Sequence, residues 1–240
     1  MFNPIKLECA FTNIGKMGNP IDLHLTNEIK KGWNALYKTE RKSRNTGNAA
    51  ANLQEIVTRR QEPVSLVWID ESGFMLQPLV RCTWAPRGQT PIQYSWDRRD
   101  RLSVIAALSL LSERQHLGVY FQPHTSNIHA EELTAFLKLI HRDLGRKFTL
   151  ILDRYSVRRK TVRLLKEAGI NWFEVEWLPP YAPDLDPVEM IWNHTKYANL
   201  ANFLPDNIDQ LQQAVIGSIA DAGTDQHLHM SFFRYTELSI

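Results

Sequence analysis

The sequence predicts an α/β fold: a mixed five-stranded sheet flanked by helices. Strand-like runs rich in β-branched residues come first, and an alternation of strand-like and helix-like segments follows, in the order β-β-β-α-β-α-β-α. Three consecutive strands favour an antiparallel meander, whereas strands joined through helices need crossovers and run parallel. This order therefore predicts both strand directions in one sheet, with helices packed on its faces.

The strand-like segments are short apolar runs bounded by turn residues. They are "VSLVWID" at 64–70, "RCTWAP" at 81–86, "RLSVIAALSL" at 101–110, "LGVYFQ" at 117–122, "FTLILD" at 148–153 and "FEVEWLP" at 173–179. The first three form the predicted meander, and the fourth extends the sheet as a hairpin partner. The stretch "PRGQTP" has the turn chemistry of a hairpin region.

Three segments have apolar residues at helical spacing, and the first two end at a glycine. The first stripe is Leu133, Phe136, Leu137, Ile140 and Leu144, before Gly145. The second is Val157, Thr161, Leu164, Leu165 and Ala168, before Gly169, and the third is Val188, Ile191, Trp192 and Thr195. This element order also matches the ribonuclease H-like fold, although many α/β folds share such an order.

Length and composition bound the classes of protein. The 240 residues are 43% hydrophobic and 22% charged, which suits one sizeable core. Apolar runs fall short of the ~20 residues that cross a bilayer, and the N-terminus lacks a signal pattern, so we expect a cytoplasmic protein without a membrane partner. Cys9 and Cys82 lack CxxC spacing and a neighbouring His cluster, so neither a zinc site nor a structural disulfide is predicted.

Residues 1–62 are weakly patterned. Helical spacing is confined to Leu25, Ile29, Trp33 and Leu36, and a polar, basic stretch follows. We interpret 1–62 as an N-terminal helical fragment plus a basic linker, and 63–240 as the folded catalytic domain.

Three acids stand where predicted elements begin or end. Asp70 closes "SLVWID", Asp153 closes "TLILD", and Glu189 lies in the first turn of the helix after Pro187. A carboxylate that ends an apolar strand is half desolvated, which proteins tolerate where it is hydrogen-bonded, paired or metal-bound. Sites in open α/β sheets lie at the carboxyl ends of strands, so these acids form the candidate site.

Each acid also has a purely structural interpretation. A strand-end Asp commonly bonds its own downstream amides in a turn. Asp186 suits an N-cap, with Pro187 at the first helical position and Glu189 at the third, so that D-x-x-E has the form of a capping box. Glu189 also lies at the edge of its helix's apolar stripe, which favours a place at the rim of the sheet.

"WIDESGF", "ILDR" and "LPPYAPDLDPVEMIWNHTKY" together resemble the three catalytic blocks of DDE transposases of the mariner superfamily, specifically its bacterial insertion-sequence branch. In that family the first block is a strand that ends in Asp followed by Glu, and the third reads P-D-L-N-P-x-E-x-x-W. The resemblance covers about 62–235, and 35 residues separate Asp153 from Glu189. It implies a ribonuclease H-like DDE endonuclease domain whose catalytic, metal-binding acids are Asp70, Asp153 and Glu189.

The resemblance implies a two-metal mechanism with Mg²⁺, for which Mn²⁺ can substitute, since carboxylates are hard ligands. Asp70 would bridge two ions ~3.5 to 4 Å apart, with Asp153 and Glu189 completing one side each. Water would first nick the element's end, and the freed 3′-OH would then attack target DNA. The clustered acids should have raised pKa values without metal, and Mg²⁺ should stabilise the protein.

Basic residues supply candidate DNA contacts. Arg158, Arg159, Lys160 and Arg163 fall off the second helical stripe, while His194 and Lys196 follow Glu189 on its helix. A phosphate-contacting surface and a solvated helix face both account for them. The resemblance further implies DNA as partner (element ends and target), a homodimer on DNA, a nucleoid-associated location and a separately encoded helix-turn-helix protein, because 1–62 is short for the family's own reader domain.

Three departures from the family pattern keep a second interpretation open. Arg154 replaces the usual Asn after the second Asp and could pair with Asp153, the usual His a few residues later is missing, and Asp186 replaces the Asn of P-D-L-N-P. A decayed or frameshifted remnant that only binds DNA or a sister transposase is the alternative. A metal-free carboxylate-pair hydrolase such as a glycosidase explains neither the third acid nor the basic helix.

Overall fold

The computed structural model describes residues 3–5, 51, 53–55, 64–83, 85, 92–95, 100–111, 117–179 and 182–236. Its strands are β1 (Asn3–Ile5), β2 (Ser65–Met75), β3 (Gln93–Ser95), β4 (Arg101–Leu110), β5 (Leu117–His124), β6 (Phe148–Leu152) and β7 (Phe173–Trp177). Its helices are α1 (Ala130–Leu144), α2 (Ser156–Glu167), α3 (Val188–His194), α4 (Ile208–Thr224) and α5 (Gln226–Tyr235). A 3-10 turn (Pro183–Leu185) precedes α3, and a π-helical turn (Thr195–Asn199) follows it.

The main sheet has five strands in the order β5-β4-β2-β6-β7. β5, β4 and β2 are antiparallel neighbours, while β2, β6 and β7 run parallel. The predicted mixed five-stranded sheet is therefore confirmed. β1 and β3 form a separate two-stranded antiparallel pair.

Helices cover both faces of the sheet, as alternate residues of β2 show. Leu66 and Trp68 belong to a core cluster that includes apolar residues of α3, α4 and α5. Val67 and Ile69 belong to a second cluster with α1 and α2. This alternation follows from the period of two along a strand, and it makes β2 the central element of three layers.

Helix α1 has the predicted form. Leu133, Phe136, Leu137 and Ile140 are buried, and Gly145 follows in the left-handed conformation at φ 62°. A side chain would be strained there, so glycine ends the helix at low cost. Within the described part of the chain, no helix combines the length and apolar composition that crossing a membrane needs.

Two strand predictions differ from the structure. The described residues of "RCTWAP", 81–83 and 85, form no strand, so the meander consists of β2, β4 and β5. β2 does not end at Asp70 but continues to Met75, because β4 pairs with it throughout. The helix predicted around Leu25 to Leu36 lies outside the described residues, and the division at residue 62 stays a prediction.

Truncation of Trp68 should destabilise the protein strongly. Its ring is fully buried and packs edge-on against Phe233, with ring centroids 5.3 Å apart. Trp68→Ala should lower the free energy of unfolding by about 3–5 kcal/mol, because the neighbours cannot fill the cavity. Urea unfolding should show only a small change for Tyr235→Ala, whose residue is 60% exposed. A Trp68→Ala variant as stable as this control would contradict the packing.

Candidate active site

Asp70 and Asp153 lie level with each other where β2 and β6 part. The last parallel pair between these strands is Trp68 with Ile151, and each acid comes two residues later on the same face. β6 ends at Leu152, whereas β2 continues along β4, which leaves an opening beside the two carboxylates. The Asp70 side chain is 13% exposed and that of Asp153 is 51% exposed, so the opening leads from the core to the surface.

The Arg158 guanidinium fills this opening. Its Nη2 donates to Asp70 Oδ1 at 2.5 Å, and its Nη1 lies 2.5 Å from Asp153 Oδ1 in an ion pair without hydrogen-bond alignment. Nε donates to Glu71 Oε2 at 2.9 Å, and Nη2 contacts the same oxygen. Burial alone would lower the pKa of Arg158, but the charges of these three acids raise it. The guanidinium therefore stays charged inside the cluster.

The predicted exposed position of Arg158 is wrong. The residue is 3% exposed and shares the buried face of α2 with Thr161, Val162 and Leu165. The sequence predicts that the face of α2 with Val157 is buried, because apolar residues are normally the buried ones. The acids beyond β2 and β6 reverse that preference, because a buried cation is tolerated when carboxylates surround it.

Glu71 is a member of the cluster that the sequence analysis did not assign to the site. Its Oε2 faces Arg158, but its buried Oε1 has no hydrogen-bond partner among the residues that the structure describes. Burial raises the pKa of Glu71, and this outweighs the opposing effect of Arg158. The signal for it was the Glu directly after Asp70 in the first motif block.

Glu189 approaches from α3, whose stripe of Val188, Ile191, Trp192 and Thr195 is buried as predicted. The side chain is half-buried, and its pKa is raised by burial first and by the Asp70 charge second. Glu189 does not complete a capping box, because the Asp186 N–H donates to the Pro183 carbonyl oxygen at 3.0 Å. Its carboxylate therefore faces the cluster without the bond that a purely capping role requires.

Asp186 bonds the first residue of α3, although Pro187, one residue later than predicted, takes the N-cap position. Asp186 Oδ1 accepts a hydrogen bond from the Val188 N–H at 3.0 Å. The residue is only 5% exposed, and its pKa is raised well above the usual range by burial and by the Asp70 charge. A fourth and a fifth acid, Glu71 and Asp186, thus stand beside the predicted three.

Trp192 ties α3 to the first carboxylate. Its Nε1–H donates to Asp70 Oδ2 at 2.8 Å, and its ring packs against Phe74 at a centroid distance of 6.1 Å. Glu189 and Trp192 are three residues apart, so one helix face directs both towards the sheet. The tryptophan that ends the third motif block is therefore a positioning residue for Asp70.

The predicted DNA-contact residues differ in exposure: three are exposed, Arg158 is buried, and two are half-buried. The exposed three, Arg159, Lys160 and Arg163, lie on α2, where Lys160 pairs with Glu131 at 3.1 Å and Arg163 with Glu167 at 3.7 Å. Arg154 is also exposed, and Arg158 is the cation that pairs with Asp153. The remaining two, His194 and Lys196, follow α3.

His194 and Lys196 are half-buried and not freely exposed. Lys196 Nζ donates to Ser72 Oγ at 2.7 Å and lies 5.1 Å from the centre of the Phe74 ring, and burial lowers its pKa. The His194 ring stacks at an angle on Phe232, with centroids 5.7 Å apart. Lys196 is therefore a second cation beside the acids.

A cleft of about 650 Å³ opens on the carboxylates. Glu71, Asp153 and Arg158 line it together with Arg101, Asn127, His129 and Tyr155. The last four are exposed, so the cleft offers hydrogen-bond donors and an aromatic ring to a polar ligand.

The acids fit a divalent cation in chemistry and charge. Within the described part of the chain, five carboxylates (Asp70, Glu71, Asp153, Asp186 and Glu189) lie near two cations, Arg158 and Lys196, and the buried Glu71 Oε1 is without a hydrogen bond. Hard oxygen ligands of this kind suit Mg²⁺ and Mn²⁺. Among the residues that the structure describes, no three His, Cys, Asp or Glu side chains are arranged to hold a metal ion. Arg158 holds the acids in their present arrangement.

Replacement of Asp186 by Asn should stabilise the protein at high pH. The raised pKa means that ionisation of Asp186 costs folding free energy as pH rises above the usual Asp value of ~3.9, whereas Asn keeps the capping oxygen without a charge. In urea unfolding, Asp186→Asn should exceed wild type at pH 8, and the difference should shrink towards pH 4. Asp221→Asn, at an exposed position, is the control. A difference that is independent of pH would contradict the raised pKa.

Comparison with known proteins finds a matching family model and similar solved structures, among them complexes of the Mos1 transposase. Residues 65–212 match the family model of the DDE superfamily endonuclease. The Mos1 transposase paired-end complex with left transposon end is similar at a TM-score of 0.57 and 17% identity, over 95% of this chain and 63% of that chain. The mariner Mos1 paired end complex with Mg has a TM-score of 0.55 and 16% identity, over 94% and 65%. The Mos1 mariner paired end complex with Mn has a TM-score of 0.53 and 17% identity, over 79% of this chain and 56% of that chain.

The structural likeness confirms the predicted ribonuclease H-like fold, and the chain spans about 63% of the length of the first of these chains. A comparison with curated protein sequences finds no match. The narrower assignment to a bacterial insertion-sequence branch stays a prediction. Because the matching family model covers more than half of the sequence, the chain belongs to the DDE superfamily of endonucleases.

Proposed function

We propose that this chain is the catalytic domain of a transposase, which cleaves DNA strands at the ends of a mobile element and transfers them to a target. The observation that carries the proposal is the level placement of Asp70 and Asp153 on adjacent parallel strands, with Glu189 directed at them from α3. Acids from three separate elements, brought to the carboxyl edge of a sheet, suit phosphoryl transfer.

Asp70, Asp153 and Glu189 would form the cation site, in which Asp70 and Glu189 would hold the divalent ion, Mg²⁺ or Mn²⁺. When bound, it lowers the pKa of water and stabilises the leaving oxygen. Trp192 fixes the Asp70 carboxylate through its Nε1–H. Arg101, Asn127 and His129 in the cleft would bind phosphate oxygens and orient the strand. The similar Mos1 structures are complexes with transposon ends, Mg or Mn, which supports DNA and these ions as the ligands here.

The partners follow from the same proposal. Two ends must be joined, so we infer a homodimer on DNA, with 63–240 as the catalytic domain of each copy. A separately encoded helix-turn-helix protein would read the ends, and DNA binding would keep the chain at the nucleoid of the cytoplasm.

Substitution of the acids tests the proposal directly. Asp70→Asn, Asp153→Asn and Glu189→Gln should each reduce Mg²⁺-dependent nicking of a duplex that carries an end of the mobile element. We expect more than about 100-fold, because loss of an outer partner of a metal ligand alone costs about 10–100-fold. Asp221→Asn, an exposed change of the same kind, should nick at the wild-type rate. Wild-type nicking by Asp153→Asn would exclude this assignment.

A second candidate function is a protein that binds DNA or a sister transposase without cleaving it. The observation in its favour is Arg158, which neutralises the acids in the absence of metal. Wild-type protein that binds the duplex but does not nick it, in either Mg²⁺ or Mn²⁺, would favour this candidate.

The exposed arginines of α2 should contribute to DNA affinity through phosphates. Arg159→Ala and Arg163→Ala should each weaken binding and lower the slope of log affinity against log salt by about 0.9 per lost phosphate contact. Lys147→Ala is a matched control, because this exposed residue precedes β6 at the opposite end of the strand from the acids. Fluorescence anisotropy at several salt concentrations measures both quantities, and an unchanged slope would place the DNA elsewhere.

A further inference from the structure

Arg158 makes the contacts that a metal ion would be expected to make. It begins in the first turn of α2 and reaches the point where β2 and β6 part. Its terminal nitrogens lie 2.5 Å from Asp70 Oδ1 and 2.5 Å from Asp153 Oδ1. The side chain is 4% exposed, so this position is part of the folded core and not a surface contact.

A cation shared by Asp70 and Asp153 cannot bind beside the guanidinium. Mg²⁺ needs oxygen ligands at about 2.0–2.1 Å, and the Oδ1 atoms that would supply them face Arg158 at 2.5 Å. The other oxygen of Asp70 accepts the Trp192 Nε1–H at 2.8 Å. Both Asp70 oxygens are therefore engaged, and one positive charge is already in place between the two strands.

On the α3 side of the cluster, the described residues show no ion pair between a cation and a carboxylate. Glu189 and Asp186 lie on this side, where Asp186 Oδ1 accepts a hydrogen bond from the Val188 N–H at 3.0 Å. Lys196 Nζ is bonded to Ser72 Oγ and not to these carboxylates. Among the described ion pairs, the Arg158 contacts are therefore confined to the acids of β2 and the acid that follows β6.

We propose that the Arg158 guanidinium occupies the cation position shared by Asp70 and Asp153, so that this chain binds one divalent ion fewer than the same chain with a neutral residue at 158. The inference rests on the proposed function in taking these acids as cation ligands. It adds that one of the two cation positions is supplied by the protein itself.

Counting bound Mn²⁺ tests the inference. Free Mn²⁺ measured by electron paramagnetic resonance during a titration gives the number bound to the whole chain. Arg158→Gln should bind one equivalent more than wild type, while Arg158→Lys, which keeps the charge, should bind the wild-type number. Arg159→Gln removes the same charge from the adjacent exposed position and should also match wild type. An equal number for Arg158→Gln and wild type would overturn the inference.

The gained ion must lie at the position that Arg158 vacates. Adding Asp153→Asn to Arg158→Gln should abolish the extra equivalent, and an extra equivalent that survives would overturn the inference. Arg158→Gln leaves three acids without their cation, so thermal melting is followed with and without Mn²⁺. Melting restored or raised by Mn²⁺ supports replacement of the guanidinium by the ion. A variant that remains unfolded in saturating Mn²⁺ shows that the ion cannot replace it and overturns the inference.

The outcome is distinct from that of the nicking assay. An extra Mn²⁺ in Arg158→Gln, with no nicking by wild type or variant, would refute the proposed function and support the inference. Nicking by wild type with an unchanged Mn²⁺ count in Arg158→Gln would do the reverse.

Discussion

The buried guanidinium of Arg158 is the constraint on which the arrangement of this site depends. Asp70 lies on the sheet face covered by α3, α4 and α5, and Glu71 is the next residue along β2, on the face covered by α1 and α2. Arg158 contacts both, and Asp153 as well, so it joins the two layers at the end of β6. Removing one partner of such a buried pair costs about 3–5 kcal/mol, because the remaining charge is left without compensation.

The second constraint is the excess of carboxylates over cations in the cluster. Arg158 contacts the three acids of the β2 and β6 side, yet burial keeps the pKa of Glu71 raised there, and it raises the pKa values of Glu189 and Asp186 on the α3 side. Trp192 connects the sides through Asp70, so the position of α3 depends on a carboxylate that Arg158 also holds. The Asp70 carboxylate is therefore the direct link between the guanidinium and α3.

The fold could be predicted from the sequence, because short apolar runs and helical stripes indicate the order and direction of the strands. The same patterns placed Asp70 and Asp153 at one edge of the sheet. Asp153 follows its strand as expected, while the strand of Asp70 continues because β4 supplies pairing that no local pattern reveals. Arg158 could not be found by periodicity. Thr161 and Leu165 belong to two possible buried faces of α2, one with Val157 and one with Arg158. Apolar spacing favours the face with Val157. The acids that make the face with Arg158 the buried one are distant in sequence.

The ion pairs around Arg158 affect what the presence of the motif acids says about catalysis in related domains. A folded chain with this arginine needs Asp70, Glu71 and Asp153 to neutralise a buried charge, whether or not DNA is ever cut. Selection for folding alone would then preserve two of the three acids that define the motif. In related chains that carry an arginine at this position, the presence of Asp70 and Asp153 is evidence of a folded domain. Among the described ion pairs, Arg158 does not contact Glu189. Of the three acids, Glu189 is therefore the one whose substitution would indicate that catalysis has been lost.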